Sequence, residues 1–161
     1  MRTLAVLPVK SFDSAKQRLS DALGGGSRQL LSQAMFGDVL GALRRARHVE
    51  AIAVVTDDHE AEALLRGQRA TVLADDRRAG QSAAAQIGIQ HAVREGFRRV
   101  LLIPGDTPLV EGDAIDDLLE ASRAERLEVT IVPDRHGTGT NALVLCPPDA
   151  MAPSFGPDSL E

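Results

Sequence analysis

The chain has a single cysteine, no tryptophan and no tyrosine. One cysteine excludes an internal disulfide framework; the place of Cys146 in the apolar run 142–146 reads as a small buried hydrophobe, with a reactive nucleophile as the alternative. Four phenylalanines make up the whole aromatic complement, which excludes the stacking platforms of a single-strand nucleic-acid binder. Positive charge is short too. The formal net charge is −5, whereas nucleic-acid surfaces carry a basic excess. No apolar run approaches the ~20 residues of a membrane span, and the N-terminus enters a strand pattern directly, without the apolar region of a signal peptide. The expectation is a cytoplasmic protein with neither nucleic acid nor membrane as partner. A homodimer is compatible with this composition, which leaves the oligomeric state open. Lysine is nearly missing: of 18 basic residues only Lys10 and Lys16 are lysines, and both follow the first apolar run. An ammonium is a compact point charge that suits phosphate in a tight loop. A coding bias toward arginine with two surviving lysines fits the same composition.

What is present is a regular alternation. The 161 residues fit one domain, long enough to bury about two-thirds of the unfolded surface. Strands are predicted at 3–9, 51–55, 71–73, 99–103, 128–132 and 142–146. Helices are predicted at 28–47, where Leu31, Met35, Val39 and Leu43 recur every four positions, and at 60–65, 80–94 and 111–124. Ser27 is the expected N-cap of the first helix, and Thr56-Asp57-Asp58 offers caps for the second. Strand and helix in turn imply a three-layer, Rossmann-like α/β domain with a mainly parallel mixed sheet and helices on both faces. The continuous Val/Leu/Ile character of the first and fourth strands fits burial on both sides. Residues 1–161 read as one domain. The chain stops at Glu161 where a helix is about to begin, which leaves either a short protein or a truncated sequence.

Four segments are candidates for chemistry. Lys10 leaves the first strand, and Lys16 and Arg18 lie in the loop or first helical turn beyond it. Cations and backbone N–H groups there would gather phosphate oxygens, although neither the P-loop pattern nor a dinucleotide fingerprint is present. A solvated basic loop is the alternative. Asp106 follows a fully apolar strand in Gly105-Asp106-Thr107-Pro108. It is a magnesium ligand or a capping aspartate in a tight turn, since Mg²⁺ takes one or two protein carboxylates beside phosphates. The run Asp134–Asn141 holds two glycines and two threonines that, with Gly156 and Ser159, form either a cradle for a small anion or a polar connection. Gly80-Gln81-Ser82-Ala83-Ala84-Ala85 opens a helix of very small residues, against which a nucleobase or simply a neighbouring element packs. The histidines show no metal spacing. The adjacent acids Asp57-Asp58 and Asp75-Asp76 read as caps and surface charges.

Taken together, the segments PVKSFDSAKQRL, LLIPGDTPL, DRHGTGTNAL and FGPDSL resemble the 2-phospho-L-lactate or phosphoenolpyruvate guanylyltransferases of coenzyme F420 biosynthesis, within the wider MobA-like class of nucleotidyltransferases with a GT-A-type fold. The resemblance covers nearly the whole chain, and the last two segments are its specific part. It implies GTP bound across the strand-1 loop and the Gly80 helix, with Lys10 and Lys16 steadying the triphosphate and Gly80 and Ser82 on the nucleotide side. It implies Mg²⁺ on Asp106, acceptor contacts from Thr140, Gly156 and Ser159, and attack of the acceptor phosphate on the α-phosphorus with release of pyrophosphate. Lys10 and Asp106 are the implied catalytic pair. An arginine-rich chain points by analogy to phosphoenolpyruvate as acceptor. A related transferase using another nucleotide or acceptor, and a ligand-binding remnant without turnover, are the alternatives. Two departures stand out. Family members continue into a segment whose late aspartates complete the metal site, and Gln81-Ser82 stands where they usually carry Leu-Asn.

Overall fold

The computed structural model describes residues 1–12, 24–156 and Ser159. Lys16 and Arg18 lie outside the described residues. The elements follow in the order β1 (Thr3–Pro8), α1 (Gly25–Arg45), β2 (Ala51–Thr56), α2 (His59–Leu65), β3 (Thr71–Ala74), α3 (Gln81–Arg94), β4 (Arg99–Leu102), α4 (Gly112–Ala124), β5 (Val129–Pro133) and β6 (Thr140–Leu145). One six-stranded sheet has the order β3-β2-β1-β4-β6-β5. β3, β2, β1 and β4 are parallel neighbours. β6 runs antiparallel to both β4 and β5. The expected α/β architecture with a mainly parallel mixed sheet is therefore present, and the element boundaries agree to within a few residues.

The sheet is central because its strands are apolar on both sides. In β1, Ala5 and Leu7 face a core shared with α1, α2 and α4, while Leu4 and Val6 face a second core shared with α3. This period of two, with both sets apolar, is what a doubly covered strand requires. α3 packs on the sheet very closely. A Cβ on Gly88 would stand 2.2 Å from Val6 Cγ1, so the helix lies against β1 only because that position has no side chain.

Two carboxylates lock connections. Asp58 caps α2 by accepting from Glu60 N (2.7 Å) and Ala61 N (3.2 Å), as expected for the N-cap, and it also accepts from Phe12 N at 2.8 Å. One side chain thus fastens the segment after β1 to the start of α2. Partial burial opposes its ionisation, but the N–H groups of Phe12, Ala61 and Glu60 outweigh that and hold the carboxyl below its usual range. Asp116 on α4, 1% exposed, accepts from Arg47 N (3.0 Å), Arg47 Nε (3.2 Å) and His48 N (2.8 Å), closing the turn after α1.

Three local expectations need correcting. α1 begins at Gly25 behind Gly24, with no side-chain cap, rather than at Ser27. Packing of its apolar positions overrides the poor helix propensity of its glycines. Cys146 is only half-buried, because it lies one residue past β6, and its Sγ meets Met1 Sδ at 3.9 Å. Asp57 and Asp75 are not surface charges; both face the cavity described next.

Candidate active site

The C-terminal ends of β1, β2, β3 and β4 open into one cavity of about 700 Å³, a size typical of small-molecule sites. Parallel strands all exit at the same edge, and this is where open α/β sheets bind their ligands. β1 delivers Lys10 to this cavity and β4 delivers Asp106. The cation and the acid expected to converge do so across neighbouring strands, since β1 and β4 pair directly. Thr107 Oγ1 donates to Pro104 O at 3.0 Å and fixes the turn that presents Asp106.

α1 and α3 close the cavity from opposite faces of the sheet. From α1 come Ser32, Met35 and Phe36, and the Phe36 ring meets that of Phe12 at 5.9 Å between centroids, tilted by 60°. From the start of α3 come Gly80, Gln81 and Ala84. Gly80 has φ +95°, a backbone state that strains any residue with a side chain, and it lets the chain turn into α3 without filling the cavity. The α3 N-terminus thus faces the cavity with its free N–H groups, a favourable setting for anionic oxygens.

The β2 and β3 ends add charges that the sequence hid. Asp57 pairs with Arg78, whose φ of +47° is unusual for a residue with a side chain. Asp75 closes the far wall. Its Oδ1 is buried and has no hydrogen-bond partner, and the same holds for Ser32 Oγ on α1, in a residue only 7% exposed. Adjacent acids in a sequence diverge in direction: Asp58 turns to cap α2, and Asp57 then lines the cavity.

Thr140, Gly156 and Ser159 form a neighbouring cluster rather than part of the described cavity walls. Thr140 Oγ1 and Ser159 Oγ are hydrogen-bonded at 2.9 Å. The loop before β6 is organised by Asp134, which accepts from His136 N (2.9 Å) and Thr138 N (3.2 Å). Partial burial opposes ionisation of Asp134, but the N–H groups of Gly139, Thr138, His136 and Gly137 hold its carboxyl below the usual range. Ser82 joins the two regions. Its hydroxyl accepts from Phe155 N at 2.9 Å and so anchors the segment that carries Gly156.

Among the described residues no group of three or more His, Cys, Asp or Glu gathers to hold a metal. His136 lies exposed in its loop, next to Arg135 Nε at 3.0 Å. A single carboxylate at the β4 edge suits a magnesium ion held mainly by the phosphates of its own nucleotide, not a protein cage. Among the described residues no helix is long and apolar enough to cross a membrane.

Comparison with known proteins agrees with this geometry. The model of the family described as "Guanylyl transferase CofC like" matches residues 3–160. A phosphoenolpyruvate guanylyltransferase of Conexibacter woesei is 48% identical over 159 residues, covering 99% of this chain and 71% of that protein. A 2-phospho-L-lactate guanylyltransferase of Methanothermobacter thermautotrophicus is 35% identical over 156 residues, covering 97% and 67%. Among solved structures, a putative nucleotide-diphospho-sugar transferase from Desulfovibrio desulfuricans aligns with a TM-score of 0.75 at 19% identity, over 94% of this chain and 66% of that one. A nucleotidyl transferase from Methanothermobacter thermautotrophicus aligns at 0.65 and 20% identity, over 99% and 79%. The two structures carry the fold alone, and the family model and the sequence relatives carry the family. The chain belongs to the CofC-like guanylyl transferase family.

Proposed function

We propose that this protein transfers GMP from GTP onto phosphoenolpyruvate, releasing pyrophosphate, in the biosynthesis of coenzyme F420, with 2-phospho-L-lactate as the alternative acceptor. One observation carries the reading: Lys10 and Asp106 leave neighbouring strands and face the same cavity, in a chain of the guanylyl transferase family. Phosphoenolpyruvate is the preferred acceptor because the relative at 48% identity bears that name.

The reaction forms one bond and breaks one. An oxygen of the acceptor phosphate attacks the α-phosphorus of GTP. The bond from that phosphorus to the α,β-bridging oxygen breaks, and pyrophosphate leaves with the electron pair. Little covalent work falls to the protein, so positioning and charge supply the rate. The Lys10 ammonium offsets triphosphate charge at the β1 edge, and Lys16, six residues on in sequence, would add a second ammonium for the same phosphates. The N–H groups at the start of α3, behind Gly80, take phosphate or ribose oxygens. Thr140, Gly156 and Ser159 receive the acceptor, and the 2.9 Å bond between the two hydroxyls sets their spacing. Asp106 would hold Mg²⁺, which neutralises phosphate charge when bound. The proposed reaction is a cytoplasmic one between two small phosphorylated molecules, with neither membrane nor nucleic acid as partner.

The test is direct. Protein with GTP, phosphoenolpyruvate and Mg²⁺ should release pyrophosphate and form the guanylated acceptor. No release with either acceptor, alongside nucleotide-dependent thermal stabilisation, would replace transfer with simple ligand binding. Stabilisation by CTP above GTP would move the protein to another nucleotide class.

A further inference from the structure

We infer that Asp75 reads the base of the bound nucleotide, accepting hydrogen bonds from the N1–H and the 2-amino group of guanine. The inference rests on the triphosphate lying between Lys10 and Asp106, as proposed above. Asp75 follows β3, which is two strands from β1 in the order β3-β2-β1-β4. Strands lie about 4.8 Å apart, so the β3 edge is about 10 Å from Lys10's strand. Phosphates at β1 and β4 therefore place the far end of the nucleotide, its base, over the ends of β2 and β3.

Two carboxylates stand there. Asp57 is taken by Arg78. Asp75 lines the same cavity, and its Oδ1 is buried with no hydrogen-bond partner. A second buried polar atom, Ser32 Oγ of a cavity-lining residue 7% exposed, is likewise without a partner. Buried polar groups are normally satisfied inside the protein. Of the three without a partner among the described residues, Arg28 Nε lies away from the cavity, whereas Ser32 Oγ and Asp75 Oδ1 belong to residues that line it and mark where a polar ligand completes the bonding.

The base follows from the acceptor-only chemistry of an ionised carboxylate. Guanine presents two adjacent donors, N1–H and N2–H₂, spaced to meet a carboxylate. Adenine and cytosine each present a ring-nitrogen acceptor beside one amino donor, which sets a lone pair against Asp75. A site built to hydrogen-bond a group rejects the analogue lacking it far more strongly than an apolar pocket does. The small residues Gly80 and Ala84 line the cavity beside it and leave a flat base room to approach.

The experiment compares nucleotides and one substitution in the full chain. Xanthine keeps the N1–H but carries a carbonyl where guanine has its amino group. Asp75→Asn supplies an amide donor for that carbonyl and leaves one acceptor for the N1–H. The variant should lose at least ~10-fold in kcat/KM for GTP and gain for XTP, shifting the GTP:XTP preference by at least ~100-fold. Asp76→Asn, one residue on and exposed, should leave the preference unchanged. In the unsubstituted protein ITP, which lacks the 2-amino group, should perform at least ~10-fold worse than GTP. An unchanged GTP:XTP preference in Asp75→Asn, or equal use of GTP and ITP by the unsubstituted protein, overturns the assignment. Absence of all turnover with GTP in the unsubstituted protein would instead remove the proposed reaction. Thermal stabilisation by GTP, ITP and XTP would then still read the base contact by itself.

Discussion

Asp116 and Asp75 are the same side chain in two settings. Under the end of α1, Asp116 has every bond it needs, with two backbone N–H groups and one guanidinium N–H on its oxygens. At the end of β3, Asp75 keeps a buried oxygen with no protein partner. The first lies in a seam that holds α1 and α4 together, the second in a cavity wall. A carboxylate closed within the protein stabilises the fold, and one left open is kept for something that arrives later. The contrast predicts which substitutions damage stability and which damage chemistry alone.

The largest effect should fall on the cavity. Asp106→Asn removes one charge from its edge and should lower pyrophosphate release per folded molecule by at least ~100-fold. Full turnover in that variant would break the comparison by showing Asp106 to be a turn residue. On the closed side, Asp116→Ala strands the N–H groups of Arg47 and His48 and should cost about 3 kcal/mol in denaturant unfolding, with turnover per folded molecule unchanged. Gly88→Ala tests the packing beneath the cavity. Its Cβ would stand 2.2 Å from Val6 Cγ1, and the expected loss is about 2 kcal/mol, read as a lower denaturation midpoint.

The smallest effect is a pH dependence. Burial opposes ionisation of Asp116, but the Arg47 and His48 N–H groups and the Arg47 guanidinium prevail and lower its pKa in the folded state. The folded protein therefore binds this proton less readily than the unfolded chain. The stabilisation is complete above the unfolded carboxyl pKa, about 4, and is lost as the pH falls through the lower folded value. Unfolding free energy of the unsubstituted protein should decline below that pH more steeply than that of Asp116→Ala. Parallel curves would show that Asp116 has no such role.

The sequence carried the alternation of strands and helices because the apolar periods of β1, β4 and α1 are strong, and packing on both faces of a sheet demands them. It carried Lys10 and Asp106 because each ends an apolar run, and parallel strands exit at one edge. It carried the Asp58 cap for the same local reason. It did not carry Asp57 or Asp75 as cavity groups, since whether an acid at a strand end turns to solvent or to the ligand depends on neighbouring strands far away in sequence. Ser82 has a partner that the sequence hid for a similar reason. Small size at a helix start is visible in a sequence, but its bond to Phe155 N joins residues 73 positions apart. Ser27 failed as a cap because three glycines disguised the first turn of a helix that tertiary contacts hold in place.

In the proposed reaction, the reversed direction of β6 would set the distance between the two reactants. Leu102 of β4 pairs with Leu143 of β6, and the strands run in opposite senses. Three residues beyond Leu102 is Gly105, beside Asp106, and three residues before Leu143 is Thr140. Thr140 therefore begins its strand at the rim where β4 ends. A parallel β6 would have started Thr140 at the opposite rim, a strand length of roughly 17–20 Å away, out of reach of any α-phosphorus held near Lys10. By entering the sheet backwards, one short strand brings Thr140 to the rim that carries Lys10 and Asp106.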